Sequence, residues 1–290
     1  MTYSFFFQKN DALYGSSSRK SQKEDQSTAL GISSFPVINA ASDLSVGLER
    51  KHNEDAIITF ISSVHVLDLF VNFGLFVIAD GMGGHASGEL ASNLAVQTVC
   101  NHVLGELFKP SSYGITSKDE LEVSNILSEA VKIAQQAVLS EVPGSGSTLT
   151  VALIFDDNLL YEHIGDTRLY ILEGGHPLKQ ITKDHSLVRR LVELGQITPA
   201  EAATHPQRNV LIKALGQTES FEADHGSLKL SPGLKILLCS DGLWGQVSDN
   251  VILEIINKSI HLKDACSELI TAANKAGGLD NASVILIEYS

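Results

Sequence analysis

Short apolar runs recur through most of the chain, and their length and composition predict β-strands. The runs are rich in Val, Ile, Leu and Phe and are bounded by polar or glycine-containing turns. The predicted strands are 56–61, 75–79, 149–155, 159–164, 168–172, 235–239 and 283–288.

Longer segments between these runs show helical spacing. In one of them Leu127, Val131, Ala134 and Val138 recur every three or four residues and form a single apolar stripe. The predicted helices are 88–107, 121–142, 249–257 and 263–276. Because the strands come in blocks joined by hairpin-like turns, we expect an α+β fold of mainly antiparallel sheets covered by helices, not a doubly wound parallel sheet.

The first part of the chain has a different character. Residues 15–28 read GSSSRKSQKEDQST, a Ser-rich and charged stretch without periodicity, which predicts a flexible linker. We expect the compact domain to begin near Asp43. The chain is therefore divided into an N-terminal extension, 1–42, and one domain, 43–290.

Composition narrows the class of protein. The 290 residues are 43% hydrophobic and 19% charged, which excludes wholesale disorder and a coiled coil. A formal net charge of −13 disfavours nucleic acid and an anionic membrane as partners. The three cysteines form no CxxC pair, and no run approaches the length of a membrane span, so we expect a cytoplasmic protein without a disulfide framework or structural zinc.

Carboxylates stand at the ends of several apolar runs. LFVIAD and KILLCSD end at Asp80 and Asp241, whereas Glu54-Asp55 and Asp280 directly precede other runs. An isolated acid of this kind is usually a turn former or a helix cap. If these four acidic positions converge in the fold, however, the repulsion between the carboxylates and the cost of their desolvation favour the binding of a hard divalent cation, which prefers oxygen ligands. The sequence does not show which strand ends are neighbours.

The run after Asp80, DGMGGHASG, allows two interpretations. Gly81, Gly83 and Ala86 match the GxGxxA pattern of a dinucleotide-binding βαβ unit. Against it, Asp80 would place a carboxylate beside the pyrophosphate, and no second strand with a ribose-binding acid follows promptly. A metal-binding loop explains Asp80 and the glycines together.

Other polar residues near these acidic positions are candidates for chemistry. Arg50 can present a guanidinium fork to a phosphate, although an ordinary ion pair with a nearby carboxylate is the alternative. Asp166 lies in a turn between two predicted strands and can be a purely structural turn residue. His85 and His52 are candidates for proton transfer.

Seven stretches, in order, resemble the motifs of the metal-dependent protein phosphatases of type 2C, most closely the bacterial subgroup. The resemblance covers about residues 43–290. The stretches are ERKHNEDA, LFVIADGMGGHASGELAS, GSTLTVAL, HIGDTRLYIL, ITKDHSLVRRLVELGQITPAEAATHPQRNVLIKALG, LLCSDGLWGQVSD and GLDNASVILIE.

The resemblance implies a four-layer α-β-β-α sandwich with a centre of two Mn²⁺ or Mg²⁺ ions and a weaker third. It makes Asp80 the bridging ligand and assigns Asp241 and Asp280 to one ion. It assigns the Gly81 carbonyl with Glu54 or Asp55 to the other, and Asp166 to the third. Gly245 stands where relatives often carry an acid, which weakens the third-ion inference, and Ile212-Lys213 replaces a common Thr-Arg.

The implied activity is hydrolysis of phosphoserine and phosphothreonine on proteins by a metal-activated water. We expect Arg50 to hold the phosphate oxygens, and we name His85 with Arg50 as the catalytic candidates. Residues 186–215 resemble a mobile flap beside the substrate groove. We therefore expect a monomeric phosphatase that opposes a serine/threonine kinase. The alternative from another class is a catalytically silent module of the same fold that binds phosphoproteins, and the presence of all the core acids argues against it.

Overall fold

The computed structural model describes residues 36–66, 69–83, 86–109, 119–217 and 222–290. The predicted linker, 15–28, lies outside these residues. The strands are β1 (Ile38–Ser45), β2 (Asp55–Val66), β3 (Leu69–Met82), β4 (Gly146–Ser147), β5 (Leu149–Phe155), β6 (Asn158–Ile164), β7 (Arg168–Leu172), β8 (Lys179–Gln180), β9 (Asp224–Lys229), β10 (Leu234–Cys239) and β11 (Ala282–Tyr289). The helices are α1 (Ala86–Leu107), α2 (Glu120–Glu141), α3 (Leu187–Glu193), α4 (Pro199–Ala203), α5 (Asp241–Trp244), α6 (Asp249–Lys258) and α7 (Leu262–Lys275).

The described strands form two antiparallel sheets. One has the order β1-β11-β10-β7-β8, and the other has the order β2-β3-β5-β6-β9 with β4 paired to β3. Each predicted strand and helix is present, and β2 and β3 continue further than predicted. Their pairing runs through to Val66 opposite Leu69, so residues 62–66 and 69–72 belong to two long paired strands.

Strand β1 is a difference from the sequence analysis. It pairs with β11 from Ile38 opposite Tyr289 to Ser45 opposite Ala282. Its sequence, INAASDLS, lacks a continuous apolar run because it is an edge strand with mostly half-exposed side chains. The sheet therefore begins at Ile38, on the N-terminal side of the boundary expected at Asp43.

Three layers of apolar side chains hold the sheets and helices together. Along β3, Leu75 and Val77 pack towards α1 and α2, whereas the alternating Phe76 and Ile78 pack between the two sheets. On the other sheet, residues of β10 and β11 alternate in the same way between the inter-sheet layer and α5, α6 and α7. This arrangement confirms the predicted four-layer α-β-β-α sandwich.

Helix α2 shows why the helical spacing was informative. Asp119 caps its N-terminus by accepting a hydrogen bond from the Glu122 amide, and the predicted stripe from Leu127 to Val138 is buried against the sheet. No helix in the described ranges is long and apolar enough to cross a bilayer.

The predicted flap, residues 186–215, contains two short helices. Ser186 caps α3, and Thr198 and Glu201 form a reciprocal capping box at the start of α4. Isolated bridges at Ser186–Leu211 and Ser147–Leu215 tie the flap to itself and to the sandwich. The flap is thus a structured element with anchored ends.

A pair of buried histidines joins the base of the flap to the second sheet. His163 Nε2 lies 3.0 Å from the Lys183 carbonyl oxygen, so it must carry the proton, and Nδ1 accepts from Thr150 Oγ1 at 2.9 Å. The His185 ring lies 4.9 Å from that of His163, and its Nδ1 accepts from the Gly165 amide. Burial, with a smaller contribution from His185, lowers the pKa of His163 to about 4.

This lowered pKa predicts a pH-dependent loss of stability. His163 is neutral in the fold but titrates near 6.5 when unfolded, so its contribution is complete above about pH 6.5 and is lost as the pH falls towards 4. Urea unfolding at fixed chelator concentration should therefore show a steeper decline over this window for the wild type than for His163→Gln. The difference in slope should approach about 1.4 kcal/mol per pH unit. Parallel slopes would show that His163 is not held neutral.

Candidate metal centre

The acidic residues that the sequence places at the ends of strands meet at one end of the sandwich. Asp80 near the end of β3 stands opposite Asp55 at the start of β2. In the other sheet, β10 ends beside the starts of β7 and β11, with Cys239 opposite both Arg168 and Val284. Asp241, Asp280 and Asp166 flank these strand ends in sequence. Antiparallel pairing therefore supplies the convergence that the sequence left open.

A hydrogen bond links the two sheets at this end. Ser240 Oγ donates to Asp55 Oδ2 at 2.8 Å and accepts from the Ser283 amide at 2.9 Å. Ser240 follows β10, whereas Asp55 opens β2 in the opposite sheet. The carboxylates of the two sheets are thus held in a fixed relation.

The carboxylates perturb one another strongly. Asp55 and Asp166 are each 6% exposed, and Asp80 and Asp241 are half-buried. Loss of hydration raises the pKa of all four, and repulsion from neighbouring aspartates, which for Asp241 is Asp280, raises it further. Oδ1 of Asp55 and Oδ1 of Asp241 are buried without a hydrogen-bond partner. Such oxygens are costly unless a cation or a donor compensates them.

The donor set fits a hard divalent cation. It consists of carboxylate and carbonyl oxygens, which suit Mg²⁺ and Mn²⁺. Among the described residues, no three His, Cys, Asp or Glu side chains already form a closed metal-binding group. The unsatisfied oxygens of Asp55 and Asp241 are therefore the observation that favours a cation here.

Gly81 brings backbone into the same region. Its amide donates to the Glu54 carbonyl at 3.0 Å, and a Cβ at this position would lie 2.1 Å from the Gly88 carbonyl oxygen. Only glycine allows β3, α1 and the Glu54 segment to approach so closely. Of the glycine-rich loop that follows, residues 84–85 lie outside the described residues, so the structure says nothing about His85.

Backbone contacts of Asp80 involve two hydroxyl residues that the sequence analysis did not single out. Thr148 Oγ1 accepts from the Asp80 amide, and Ser147 Oγ donates to the Asp80 carbonyl at 3.1 Å. Both lie in the motif GSTLTVAL. Neutral hydrogen bonds thus fix the backbone of the central acid.

Asn281 is a further residue that sequence reasoning missed. It is 3% exposed, and its Nδ2 donates to the carbonyls of Val46 and His52 at 2.8 and 2.9 Å. Its Oδ1 accepts from the Glu54 amide at 2.7 Å. Asn281 therefore holds the loop that carries Arg50 against the start of β11. In a sequence, an asparagine beside an aspartate is typical of a turn, so this role is visible only from the hydrogen bonds in the structure.

Arg50 lies at the rim of the acidic centre. Its Nη2 contacts Asp280 Oδ2 at 2.8 Å, and its side chain is 47% exposed. Burial tends to lower the pKa of Arg50, but the charges of Asp280, Glu54 and Asp80 raise it overall. This is the ion pair that the alternative interpretation expected, and it leaves part of the guanidinium facing solvent. A role in phosphate binding stays a prediction.

Asp166 connects the acidic centre to the flap. Its carbonyl accepts a hydrogen bond from Trp244 Nε1 at 3.0 Å. The guanidinium of Arg168 lies 3.5 Å from the centroid of the Trp244 ring and forms a bidentate pair with Asp184 at 2.9 and 2.6 Å. Arg168 is thus fully engaged between the sandwich and the start of the flap.

The comparisons with known proteins agree with this geometry. The profile of the family described as Protein phosphatase 2C matches residues 51–275. The chain is also 35% identical over 246 residues to protein phosphatase PhpP of Streptococcus pneumoniae, which covers 84% of this chain and 95% of PhpP. The chain belongs to the protein phosphatase 2C family.

Solved structures of family members have the same fold. The serine/threonine phosphatase PstP/Ppp of Mycobacterium tuberculosis is 34% identical, with a TM-score of 0.72 over 87% of this chain and 98% of PstP. A structure of the PstP catalytic domain, described as a complex with two manganese ions, is 32% identical, with a TM-score of 0.71 over 88% of this chain and 99% of that chain.

The dinucleotide-binding interpretation of GxGxxA is wrong for this family member. A βαβ unit needs a second strand parallel to the first. After β3 the chain forms α1 and α2 and then returns in β4 and β5, which both pair with β3 in antiparallel fashion. The glycines instead allow the close approach at Gly81.

The Asn281 contacts predict a loss of stability that is accompanied by local opening at Glu54. Asn281→Ala removes three hydrogen bonds and leaves the Glu54 amide and two carbonyls without this partner, so the free energy of unfolding should fall by about 2–4 kcal/mol. Hydrogen exchange at the Glu54 amide should accelerate beyond the global change. Asn274→Ala, which removes the half-buried contact of Asn274 with Ser45, is the control and should leave Glu54 exchange unchanged. Unaltered hydrogen exchange at the Glu54 amide in Asn281→Ala would show that Asn281 does not hold this loop in place.

Proposed function

We propose that the protein hydrolyses phosphoserine and phosphothreonine on proteins with the help of divalent metal ions. The observation that carries the proposal is the pair of buried, unsatisfied carboxylate oxygens on Asp55 and Asp241, in an acidic cluster rimmed by Arg50. Membership of the protein phosphatase 2C family supports it, as do relatives named as serine/threonine phosphatases.

The same residues would hold the metal ions. PstP with two manganese ions supports a centre of two Mn²⁺ or Mg²⁺ ions here. The ligands would be Asp80, Asp241, Asp280, Glu54 or Asp55, the carbonyl of Gly81 and, for a weaker third ion, Asp166. When bound, such ions make water more acidic and place positive charge against the phosphoryl oxygens.

The protein's own groups would orient the substrate. Arg50 has a half-exposed guanidinium, and Asp280 fixes one of its nitrogens at 2.8 Å, so the remaining donors can bind phosphate oxygens. The hydrogen bonds from Asn281 keep the loop that carries Arg50 close to the carboxylates. We propose that His85 donates a proton to the departing serine or threonine oxygen, because His85 lies beside the glycine turn in the sequence.

A silent phosphoprotein-binding module is the less favoured function. Such a module has no need to retain mutually repelling carboxylates with buried, unsatisfied oxygens. All five aspartates of the predicted set are present at this end of the sandwich. No observation in the described residues favours binding without hydrolysis.

The wider setting of the reaction follows from the activity. We propose that phosphorylated proteins are the substrates, that a serine/threonine kinase opposes the enzyme, and that the protein acts as a cytoplasmic monomer. Its three cysteines are unpaired, as a reducing compartment requires. The catalytic domain would comprise the sandwich, including the flap, with residues before β1 as an extension.

The first test is metal dependence. Chelator should abolish release of phosphate from a phosphothreonine peptide, Mn²⁺ should restore it, and Mn²⁺ should raise Tm by several degrees. Asp80→Asn should lose both the activity and the Tm shift, yet without metal it should be no less stable, because one of the repelling charges is gone. The exposed Asp264→Asn is the control. Full activity in excess chelator would overturn the proposal.

The second test concerns Arg50. Arg50→Ala should raise KM for a phosphopeptide roughly ten- to a hundredfold, as expected for a lost charge-assisted hydrogen bond. Arg50→Lys should recover only part of this because it lacks the planar fork. The Mn²⁺ concentration that gives half the maximal Tm shift should change little. An unchanged KM would reduce Arg50 to a partner of Asp280.

A further inference from the structure

A groove lies between the flap and the acidic centre. It has a volume of about 370 Å³, and its walls combine residues of the flap with residues of the sandwich. We call the part lined by Asp166, Asp241 and Trp244 the inner end, and the part lined by flap residues, including those of α3 and α4, the outer wall. A molecule bound at the carboxylates therefore has this groove immediately beside it.

The charges of the groove are unevenly distributed. Asp184 and Arg168 neutralise each other through their bidentate pair. On the flap side, Arg189 has only a 3.6 Å contact with Glu193, with both side chains more than a third exposed. Arg208 forms no ion pair with any residue in the described part of the chain. The outer wall thus presents two weakly engaged guanidinium groups.

Part of the lining of the groove is apolar. Val188, Val192, Pro199 and Ala202 contribute apolar side chains on the flap side, and the Trp244 ring contributes one at the inner end. A side chain with a short hydrocarbon stem and an anionic end matches this combination, because the stem can contact these apolar groups while the charge meets the arginines. A basic side chain would meet the same arginines with unfavourable charge.

We propose that this groove binds an anionic side chain of the substrate protein, close in sequence to the phosphorylated residue that is hydrolysed. Arg208 and Arg189 are the specificity-determining residues, and the anionic group is a carboxylate or a second phosphate. The inference rests on the proposed function, and it adds which phosphoproteins are preferred: those phosphorylated within acidic or multiply phosphorylated segments.

The test uses the full chain with Mn²⁺ and matched phosphothreonine peptides. Each peptide carries Glu, Gln, Lys or phosphoserine at one position, which is moved from three residues before to three residues after the phosphothreonine. At one or more positions kcat/KM should be higher for Glu than for Gln and lowest for Lys. Arg208→Gln should reduce the Glu-to-Gln ratio about three- to fivefold, the size expected of a partly exposed charge pair. Arg208→Glu should favour Lys.

Arg190→Gln is the matched control. Arg190 lies on the same helix as Arg189 and contacts Glu193 at 3.5 Å, but it does not line the groove. It should keep the wild-type preference. The phosphoserine peptide distinguishes the two anionic groups. If kcat/KM relative to the Gln peptide is higher for phosphoserine than for Glu, a second phosphate is the better ligand. If it is higher for Glu, a carboxylate is the better ligand.

The outcomes distinguish the two proposals. Suppose that the wild type hydrolyses p-nitrophenyl phosphate and that its kcat/KM is the same for every peptide. The proposed role of the groove would then be overturned, while the phosphatase function would stand. An equal effect of Arg190→Gln and Arg208→Gln would also overturn the role of the groove, since general surface charge would then be responsible. Hydrolysis of none of these substrates would overturn the proposed function, and the role of the groove with it.

Discussion

Repulsion among carboxylates that are largely removed from water is the constraint on which this end of the molecule depends. Asp55, Asp80, Asp166 and Asp241 all have raised pKa values because burial and neighbouring charges disfavour ionisation. Flexible loops would relax such a cluster by moving the charges apart. Here the acids sit at the ends of strands whose centres are locked by apolar layers on both faces, so the cluster is kept together.

Neutral hydrogen bonds do most of the local positioning. Thr148 and Ser147 fix the backbone of Asp80, Ser240 bridges the sheets, and Asn281 holds the Arg50 loop. Serine, threonine and asparagine add no charge, so they hold the acids without neutralising them. A lysine or arginine in these places would satisfy the carboxylates and remove the reason for a cation to bind. Arg50 reaches Asp280 only from the exposed rim.

Much of this arrangement could be predicted from the sequence, and the misses have physical causes. Long apolar runs bounded by turns gave the central strands and put acids at their ends. The edge strands β1 and β9 escaped because INAASDLS and DHGSLK alternate weakly and are half solvated. Convergence of the acids depends on antiparallel register, which is a property of pairs of strands and not of any one segment. For the same reason the role of Asn281 was missed, because its hydrogen bonds join segments that are far apart in sequence.

The contacts around Trp244 also separate two kinds of arginine at the flap. Arg168 is mostly buried, pairs with Asp184 and stacks on Trp244, which in turn donates to the Asp166 carbonyl. Replacing it would therefore disturb the acidic centre and the base of the flap together. Arg208 is exposed and has no ion-pair partner among the described residues, so it can act on a ligand without altering the carboxylates. Recognition at the outer wall is thereby structurally separable from chemistry at the inner end.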